Sequence, residues 1–546
     1  MKHIGIIIYE CKSSQILLQN KGDLVANINR IFKVNGKPFF PIGRHHLYMG
    51  GYTAWNEAES EMSFKGLKMC NGNTMCVPIY WDQIEPEKGK YDFASVDTLI
   101  KLSRKYEVKL IFLWFAHWKN GVMDFAPGYM KADPNKYKRV TAQTGGTLWV
   151  LSSHCKANLE ADKKAFTAVC RHIKDVDGKE QTVIGLQIEN EPGILGSERD
   201  YGSEAEAEFN AAVPAKLLSA MKVAGEGKEY DIWQKAGGKA SGSWPEIFGA
   251  DAGEMMTAWS IASFINEVAK AGKAVYNIPM FVNVWCMEQP WWLIPGEAYP
   301  SGGAVNKVIN IYKWFAPYID LLAPDNFQPD RINHNAVYTN YVRDDNPLFI
   351  VESHPNLNCM MYDIADFNAI GYFVHFKQLP DGSVPPEQQR RISLTRVVAA
   401  MLPLLLKYQG TGKVHAIEEG DPGIHGRLKY PMEFDGYLGL IEFSERNPER
   451  GSGLIVQAAK NEFYAAGINI RLMLRPKPVM GKTPVALLGA VDLSHPSFCN
   501  YTDRVDWGHF DKNGKFVSDV RRNGDDMRGG VWVGPDNTVT RIITSD

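Results

Sequence analysis

Thr182-Val183-Ile184-Gly185-Leu186-Gln187-Ile188-Glu189-Asn190-Glu191-Pro192-Gly193 is a short apolar run that ends in two carboxylates flanking an amide. Its Val, Ile and Leu content, without clean polar alternation, is that of a strand covered on both faces. Carboxylates are costly to bury without partners, and an isolated Asn-Glu pair is commonly just a capped strand end with solvated acids. At the carboxyl end of a strand in a parallel barrel, the same groups face a cleft instead.

A second stretch repeats the pattern. In Asn346-Pro347-Leu348-Phe349-Ile350-Val351-Glu352-Ser353-His354, four apolar residues lead straight into one carboxylate, 161 positions after Glu191. Working outward, strand-like runs fall at 39–43, 73–80, 108–115, 182–191, 279–286, 318–324, 348–352 and 369–376. Helical spacing separates them at 92–106, 158–173, 258–271, 304–315 and 391–407. Eight strand-then-helix units predict an α/β chain with a (β/α)8 TIM barrel over 32–408, after an N-terminal extension 1–31. A doubly wound open sheet competes, but no Gly-rich fingerprint follows the first strand. The segment at about 197–253 is too long for a simple connection and is expected to carry helices at 204–212 and 217–236. As an insertion on the C-terminal face it is expected to wall the site.

After Tyr408 the texture changes to Gly, Pro and short β-like runs at 453–457, 462–466, 468–474, 485–488, 516–520 and 538–544. Turn dipeptides such as Asn513-Gly514, Asn523-Gly524 and Pro535-Asp536 separate several of them, so 409–546 reads as a smaller β-sandwich domain packed on the barrel. An appended sandwich must bury one apolar face somewhere, which predicts that it braces the barrel.

Composition sets outer limits. The 546 residues are 45% hydrophobic and 22% charged, which excludes a largely disordered chain, a collagen-like repeat and a disulfide miniprotein. A formal charge of -2 carries no nucleic-acid footprint. No apolar run approaches the ~20 residues of a membrane helix. Neither nucleic acid nor a membrane span is therefore expected, and a homodimer is left open. The eight cysteines include no CxxC pair, and Cys76 and Cys286, inside apolar runs, are expected as buried free thiols. No His, Cys and Asp cluster has metal-ligand spacing, so neither metal nor cofactor is expected. The apolar stretch 4–9 is short, ends at Glu10 and does not read as a secretory signal, and the compartment stays open. Aromatics reach 11% with fourteen Trp, which fits a large core or planes on which sugar rings stack.

In an eight-stranded barrel, strands four and seven face each other across the mouth. Two carboxylates there approach ~5 Å, the separation of a retaining glycosidase, with one as nucleophile and the other as general acid/base. Two further strand ends are aromatic and polar: Val77-Pro78-Ile79-Tyr80-Trp81-Asp82, and Leu113-Trp114-Phe115-Ala116-His117-Trp118-Lys119-Asn120-Gly121. Neighbours on one strand point to opposite faces, so Ser353 and His354 do not read as a hydrolase triad.

The Trp-x-x-x-Glu-Pro-x-x-Gly-x-Tyr-Asp-Phe pattern from Trp81 to Phe93 resembles clan A glycoside hydrolases, especially the family 35 and family 42 β-galactosidases. The stretch 187–193 is similar to the family 35 strand-four motif, and 347–352 to the strand-seven nucleophile motif. Residues 114–121 and the region 451–546 resemble the bacterial family 35 branch that has an extra C-terminal β-domain. This resemblance implies Glu191, not Glu189, as acid/base and Glu352 as nucleophile. It implies an exo-acting, retaining hydrolase that takes an oligosaccharide or polysaccharide and releases terminal β-D-galactose by double displacement. Asn190 is then the candidate partner of the sugar 2-OH and Trp285 the stacking platform, with His46, Tyr80, Trp118 and Asn120 as further substrate-binding candidates. Alternatives are a clan A hydrolase for another β-linked sugar, such as an arabinopyranoside or glucoside, and a non-catalytic carbohydrate-binding protein. Three positions depart from the pattern: Arg44 near the first strand, Asp82 where Glu is common, and Phe327 where relatives often have a Tyr that supports the nucleophile. They bear on which sugar is taken.

Overall fold

The computed structural model describes residues 32–46, 57–287, 293–328, 330–353, 359–379, 381–420, 429–444, 447, 449–477, 502–523, 530–535 and 537–544. The extension 1–31, Trp291, Trp292, His354, the strand expected at 485–488, Cys11 and Cys499 lie outside them.

Seven strands form one parallel sheet. In chain order they are strand one (Ile42–His45), two (Thr74–Tyr80), three (Lys109–Lys119), four (Val183–Asn190), five (Met280–Trp285), six (Leu321–Asp325) and eight (Tyr372–Val374). Their spatial order is six, five, four, three, two, one, eight. The segment 348–353 takes position seven and closes the ring. Ile350 bridges Tyr372 on one side, and Ser353 bridges Asn326 on the other. Asn346 ties the closure down, accepting from the Leu322 N–H at 2.8 Å and donating to the Leu322 carbonyl at 3.0 Å. The chain is thus a (β/α)8 barrel followed by antiparallel β-structure.

Strand alternation sorts the side chains into two layers. Cys76, Tyr80, Ile111, Leu113, Phe115, Ile184, Phe281, Leu321, Phe349, Val351 and Phe373 fill the barrel interior. Met75, Val77, Leu110, Phe112, Leu186, Val282 and Ile350 face outward onto the helices. The interior is tight at strand one. A Cβ on Gly43 would stand 1.8 Å from the Thr74 carbonyl oxygen, its register partner on strand two. Gly43→Ala must therefore push strands one and two apart. We expect about 3 kcal/mol of destabilisation, read as a lower urea midpoint, and an unchanged midpoint would contradict this packing.

The expected helices form close to their sequence positions, for example Ala94–Lys105, Lys156–Asp177, Ala252–Val275 and Gln389–Tyr408. The helix expected at 304–315 is shorter, Ile309–Phe315. That expected at 217–236 is broken into Ala215–Ala224 and Lys228–Lys235. Gly225 (φ 65°) and Gly227 (φ 105°) take conformations that end one helix and start the next. The insertion is pinned to the barrel face. Asp200 accepts from the Thr141 N–H at 3.0 Å and from the Ser152 hydroxyl at 2.5 Å, beside the hairpin Arg139–Thr141 and Thr147–Leu151.

Beyond Tyr408, a six-stranded and a four-stranded antiparallel sheet enclose a core that includes Ile417, Tyr437, Ile455, Phe463, Leu472, Val505 and Ile542. The other face of the larger sheet, with Leu454, Val456 and Ala466, joins the barrel's outer core with Val397, Val398 and Met401 of the last helix. The six described cysteines are all buried. No helix among the described residues is long and apolar enough to cross a membrane.

Candidate active site

The Trp81–Phe93 motif is a clasp below the mouth. Buried Glu85 accepts from the Trp81 indole at 2.8 Å and from the Gly89 N–H at 2.7 Å, and Tyr129 donates to it at 3.2 Å. Gly89 has φ 74°, which only Gly adopts without strain. Asp92 then accepts from the Ala94 N–H at 2.9 Å and starts the helix Ala94–Lys105. The motif's residue types are thus explained by the turn after strand two.

Strand four ends in a distortion. Glu189 (φ 63°) and Glu191 (φ 46°) both take left-handed backbone conformations, unusual for residues other than Gly. Two glutamates that would share one face of a regular strand are therefore separated. Glu189 turns to the outer layer, where its carboxyl accepts from the Trp118 N–H at 2.9 Å and lies 3.8 Å from His117 Nδ1. Asp162, on the helix Lys156–Asp177, lies 3.1 Å from the same His117 nitrogen. All three side chains are fully buried. Burial, reinforced by Asp162, pushes the Glu189 carboxyl well above its usual range.

Glu191 remains at the mouth. Its N–H donates to Asn283 Oδ1 on strand five at 2.8 Å. The same amide donates from Nδ2 to Asp325 Oδ2 at the end of strand six, at 2.7 Å. Gln187 also donates to Asn283 Oδ1, at 3.0 Å. Asn283 is thus a buried splint across strands four, five and six. Burial pushes the Glu191 carboxyl up to about 8, with the Glu352 charge adding to it and Lys119 opposing. Asp325 is pushed well above the carboxylate range, by burial first and then by the Glu352 and Glu191 charges. Three carboxyl groups from strands four, six and seven therefore share one low-dielectric mouth, so not all of them carry charge at neutral pH.

Glu352, half-buried, is surrounded from strands one, two and eight. Its charge acts on the buried Cys76 thiol and on His375. The His45, Glu352 and His375 ligand atoms lie within 4.8 Å of one another, as do those of His117, Asp162 and Glu189, and either spread is that of a metal site as much as of a proton-sharing group. His45 stacks on His375 with centroids 4.4 Å apart. Burial, first among the causes, holds both rings below the ordinary histidine range.

The remaining expected residues divide between the two layers. Asn190 is buried and donates to Asn120 Oδ1 at 3.2 Å, beside Lys119, which bonds the same oxygen. Tyr80 lines the interior, with its ring 5.7 Å from Phe115 and 4.8 Å from Phe125. Trp285 is half-buried at the end of strand five, in register with Asp325. His46 faces outward, its Nδ1 2.6 Å from Ser63 Oγ on the helix Glu57–Met69, while its neighbour His45 faces the mouth. Trp118 is likewise in the outer layer, against Phe264 at 5.3 Å.

The three departures lie at or just past the ends of strands one, two and six. Arg44 faces outward and is buried, donating to Gln378 at 2.6 Å and to the Phe376 carbonyl at 2.7 Å, and stacking over Phe376. Burial lowers its guanidinium to about 10. Asp82 sits in the short helix Trp81–Ile84, and Phe327 is 46% exposed just past strand six. Sequence reasoning passed over Asn283, Asp325, His45 and His375 as site residues. For Asp325 a signal existed, because Leu321-Leu322-Ala323-Pro324 leads into an acid as directly as the runs before Glu191 and Glu352 do.

Two parts of the chain match known families. Residues 52–235 match the glycoside hydrolase family 42 model, described as β-galactosidase, rather than a family 35 model. Residues 396–534 match a domain of unknown function, DUF5597. The human β-galactosidase-1-like protein 3 is 26% identical over 175 residues, 30% of this chain and 25% of that protein. The chain thus matches about a quarter of that relative's length. Among solved structures, a β-galactosidase from the Antarctic haloarchaeon Halorubrum lacusprofundi is 13% identical with a TM-score of 0.46, over 66% of this chain and 58% of that one. The cold-adapted β-galactosidase from Rahnella sp. R3 is 14% identical with a TM-score of 0.46, over 70% and 58%. The β-amylase catalytic domain from Paenibacillus polymyxa is 11% identical with a TM-score of 0.46, over 64% and 96%. Over residues 52–235, within the barrel, the chain is thus similar to β-galactosidases of the clan A glycoside hydrolases.

Proposed function

We propose that the chain is a retaining, exo-acting glycoside hydrolase that releases terminal β-D-galactose from glycans, with Glu352 as nucleophile and Glu191 as general acid/base. One observation carries the reading. The Glu191 carboxyl is buried at the mouth and raised to about 8, with the Glu352 charge among the causes. An acid raised by a neighbouring anion is poised to protonate a leaving oxygen at neutral pH while the anion attacks.

In the first step the Glu352 carboxylate bonds to the anomeric carbon, and the C–O bond electrons go to the leaving oxygen, which takes the Glu191 proton. In the second step Glu191, now a carboxylate, takes a proton from water. The water oxygen attacks the anomeric carbon and Glu352 departs as a carboxylate. With Glu352 esterified, its charge no longer raises Glu191, so the acid is converted to a base between steps. Asn190, next to Glu191 in the chain, is assigned to the sugar 2-OH, where a hydrogen bond strengthens in the oxocarbenium-like transition state. The β-galactosidase match over 52–235 and the family 35-like motifs at 187–193 and 347–352 support the sugar assignment.

Hydrolysis of a panel of 4-nitrophenyl glycosides, with the product anomer followed by NMR, tests the proposal. The expected result is preference for β-D-galactopyranoside with β-galactose appearing first. Preference for the arabinopyranoside or glucoside moves the sugar and keeps the chemistry. An α-product appearing first removes the retaining mechanism.

A further inference from the structure

Behind the mouth, in the outer layer, His117 of strand three, Glu189 of strand four and Asp162 of the helix Lys156–Asp177 meet with no exposed surface. Each carboxylate uses one oxygen on a neighbour. The Trp114 indole donates to Asp162 Oδ1 at 2.9 Å, and the Trp118 N–H donates to Glu189 Oε2 at 2.9 Å. The two remaining oxygens, Asp162 Oδ2 and Glu189 Oε1, converge on His117 Nδ1, at 3.1 and 3.8 Å. All three atoms are buried, and none has a hydrogen-bond partner among the described residues. The 3.1 Å pair is close enough for a hydrogen bond, but it lacks the direction of one. Among the described residues, no Lys or Arg pairs with either carboxylate. Both strands leave regular geometry here. Strand three slips its register against strand four between Trp114 and Lys119, and Glu189 takes φ 63°. Such irregularities re-aim side chains, and these two bring His117 and Glu189 to one point.

We infer that His117 Nδ1, Asp162 Oδ2 and Glu189 Oε1 bind a divalent first-row transition ion, zinc foremost, as a structural centre that ties strands three and four to the helix Lys156–Asp177. Ligands ~2.1 Å from a tetrahedral ion stand ~3.4 Å apart, and the 3.1 and 3.8 Å separations bracket that value. Two carboxylates balance the ion's charge, which relieves the cost of two anions in a dry place. One imidazole and two carboxylate oxygens suit zinc, whereas calcium and magnesium take six or more oxygens. The imidazole is held between Trp81, at 5.5 Å, and Phe264, at 4.5 Å between ring centroids. Lys119 and Asn120 follow His117, and Asn190 and Glu191 follow Glu189, so the centre anchors both strand ends that carry polar groups to the mouth. Its ligands come from three elements distant in sequence, so the short spacings that argued against a metal say nothing of it. The inference stands apart from the sugar chemistry, because metal content and melting do not depend on activity.

The first test is metal content. Protein made in medium supplemented with zinc, manganese and iron is gel-filtered in EDTA and analysed by mass spectrometry of its metals. About one ion per chain is expected in the wild type and in Glu352→Gln, which breaks the other possible ligand set, His45, Glu352 and His375. Asp162→Asn and Glu189→Gln should hold less than about a tenth of that. A wild type without a stoichiometric transition ion would overturn the inference. So would an ion kept by Asp162→Asn or lost from Glu352→Gln. Because a ligand variant can fail to fold, the second test uses the wild type alone, unfolded in guanidinium with EDTA and refolded with or without zinc. Zinc, and not magnesium, should raise the melting temperature by ~5 °C or more. X-ray absorption at the zinc edge should show nitrogen and oxygen ligands with one imidazole. Equal melting with and without zinc, or a sulfur ligand, would overturn the assignment.

Discussion

Glu352→Gln is expected to lower kcat/KM on the cleaved glycoside by about 10³-fold or more, some 4 kcal/mol of lost transition-state stabilisation. Gln has the shape of Glu and keeps the half-buried side chain in place, so the fold should stand. It cannot form the glycosyl ester, and it places no negative charge opposite the developing oxocarbenium ion. A smaller variant, Glu352→Gly, leaves room for an external nucleophile. Added azide then attacks from the face that Glu352 occupied and displaces the leaving group in a single step. The expected product is the α-glycosyl azide, read by NMR. Activity of Glu352→Gln within tenfold of the wild type would remove the nucleophile assignment.

Glu191→Ala is expected to behave differently, because the two steps need Glu191 differently. A 4-nitrophenolate leaves without a proton, so the first step should survive with that substrate, while a natural glycan with an alkoxide leaving group should lose about 10³-fold. The second step slows in both cases, the glycosyl-enzyme accumulates and KM falls. Azide now meets a formed ester and should give the β-glycosyl azide, the opposite anomer from Glu352→Gly. The pH profile carries its own signature. A general acid works while protonated, so wild-type kcat/KM should fall as pH rises through about 8, and Glu191→Ala should lose that limb. Stability should follow the same group. Its folded value, about 8, lies above the ordinary 4.5, so its contribution is full below 4.5 and lost as pH rises through 8. Glu191→Gln should therefore melt a few degrees above the wild type at pH 8, with the gap closing toward pH 4. A constant gap across that range would contradict a buried, protonated Glu191.

Much of this was legible because it is local. Uninterrupted apolar runs of strand length, each followed by an amphipathic segment, identify a parallel barrel from neighbouring residues alone, since strands covered on both faces tolerate few polar side chains. A carboxylate at the end of such a run, as at Glu191 and Glu352, is an anomaly visible in one dimension. Gly225 and Gly227 are visible too, yet the apolar spacing of a helix runs straight across them, and the break comes from the two glycines.

What the chain alone left open depends on closure and on exact facing. Asn283 unites strands four, five and six, and Asn346 seals strand six to the seventh segment, only because the sheet curls back on itself. Asn283 links Asp325 to Glu191, far away in sequence. His45 rather than His46 turns to the mouth, and Glu189 parts from Glu191, because one residue of register or one left-handed φ reverses which way a side chain points. The sequence by itself determined the barrel and the acidic strand ends, since burial and periodicity act between near neighbours. Which acids come together at the mouth was decided by the tertiary structure, because that depends on distances and desolvation that exist only once the ring of strands has closed.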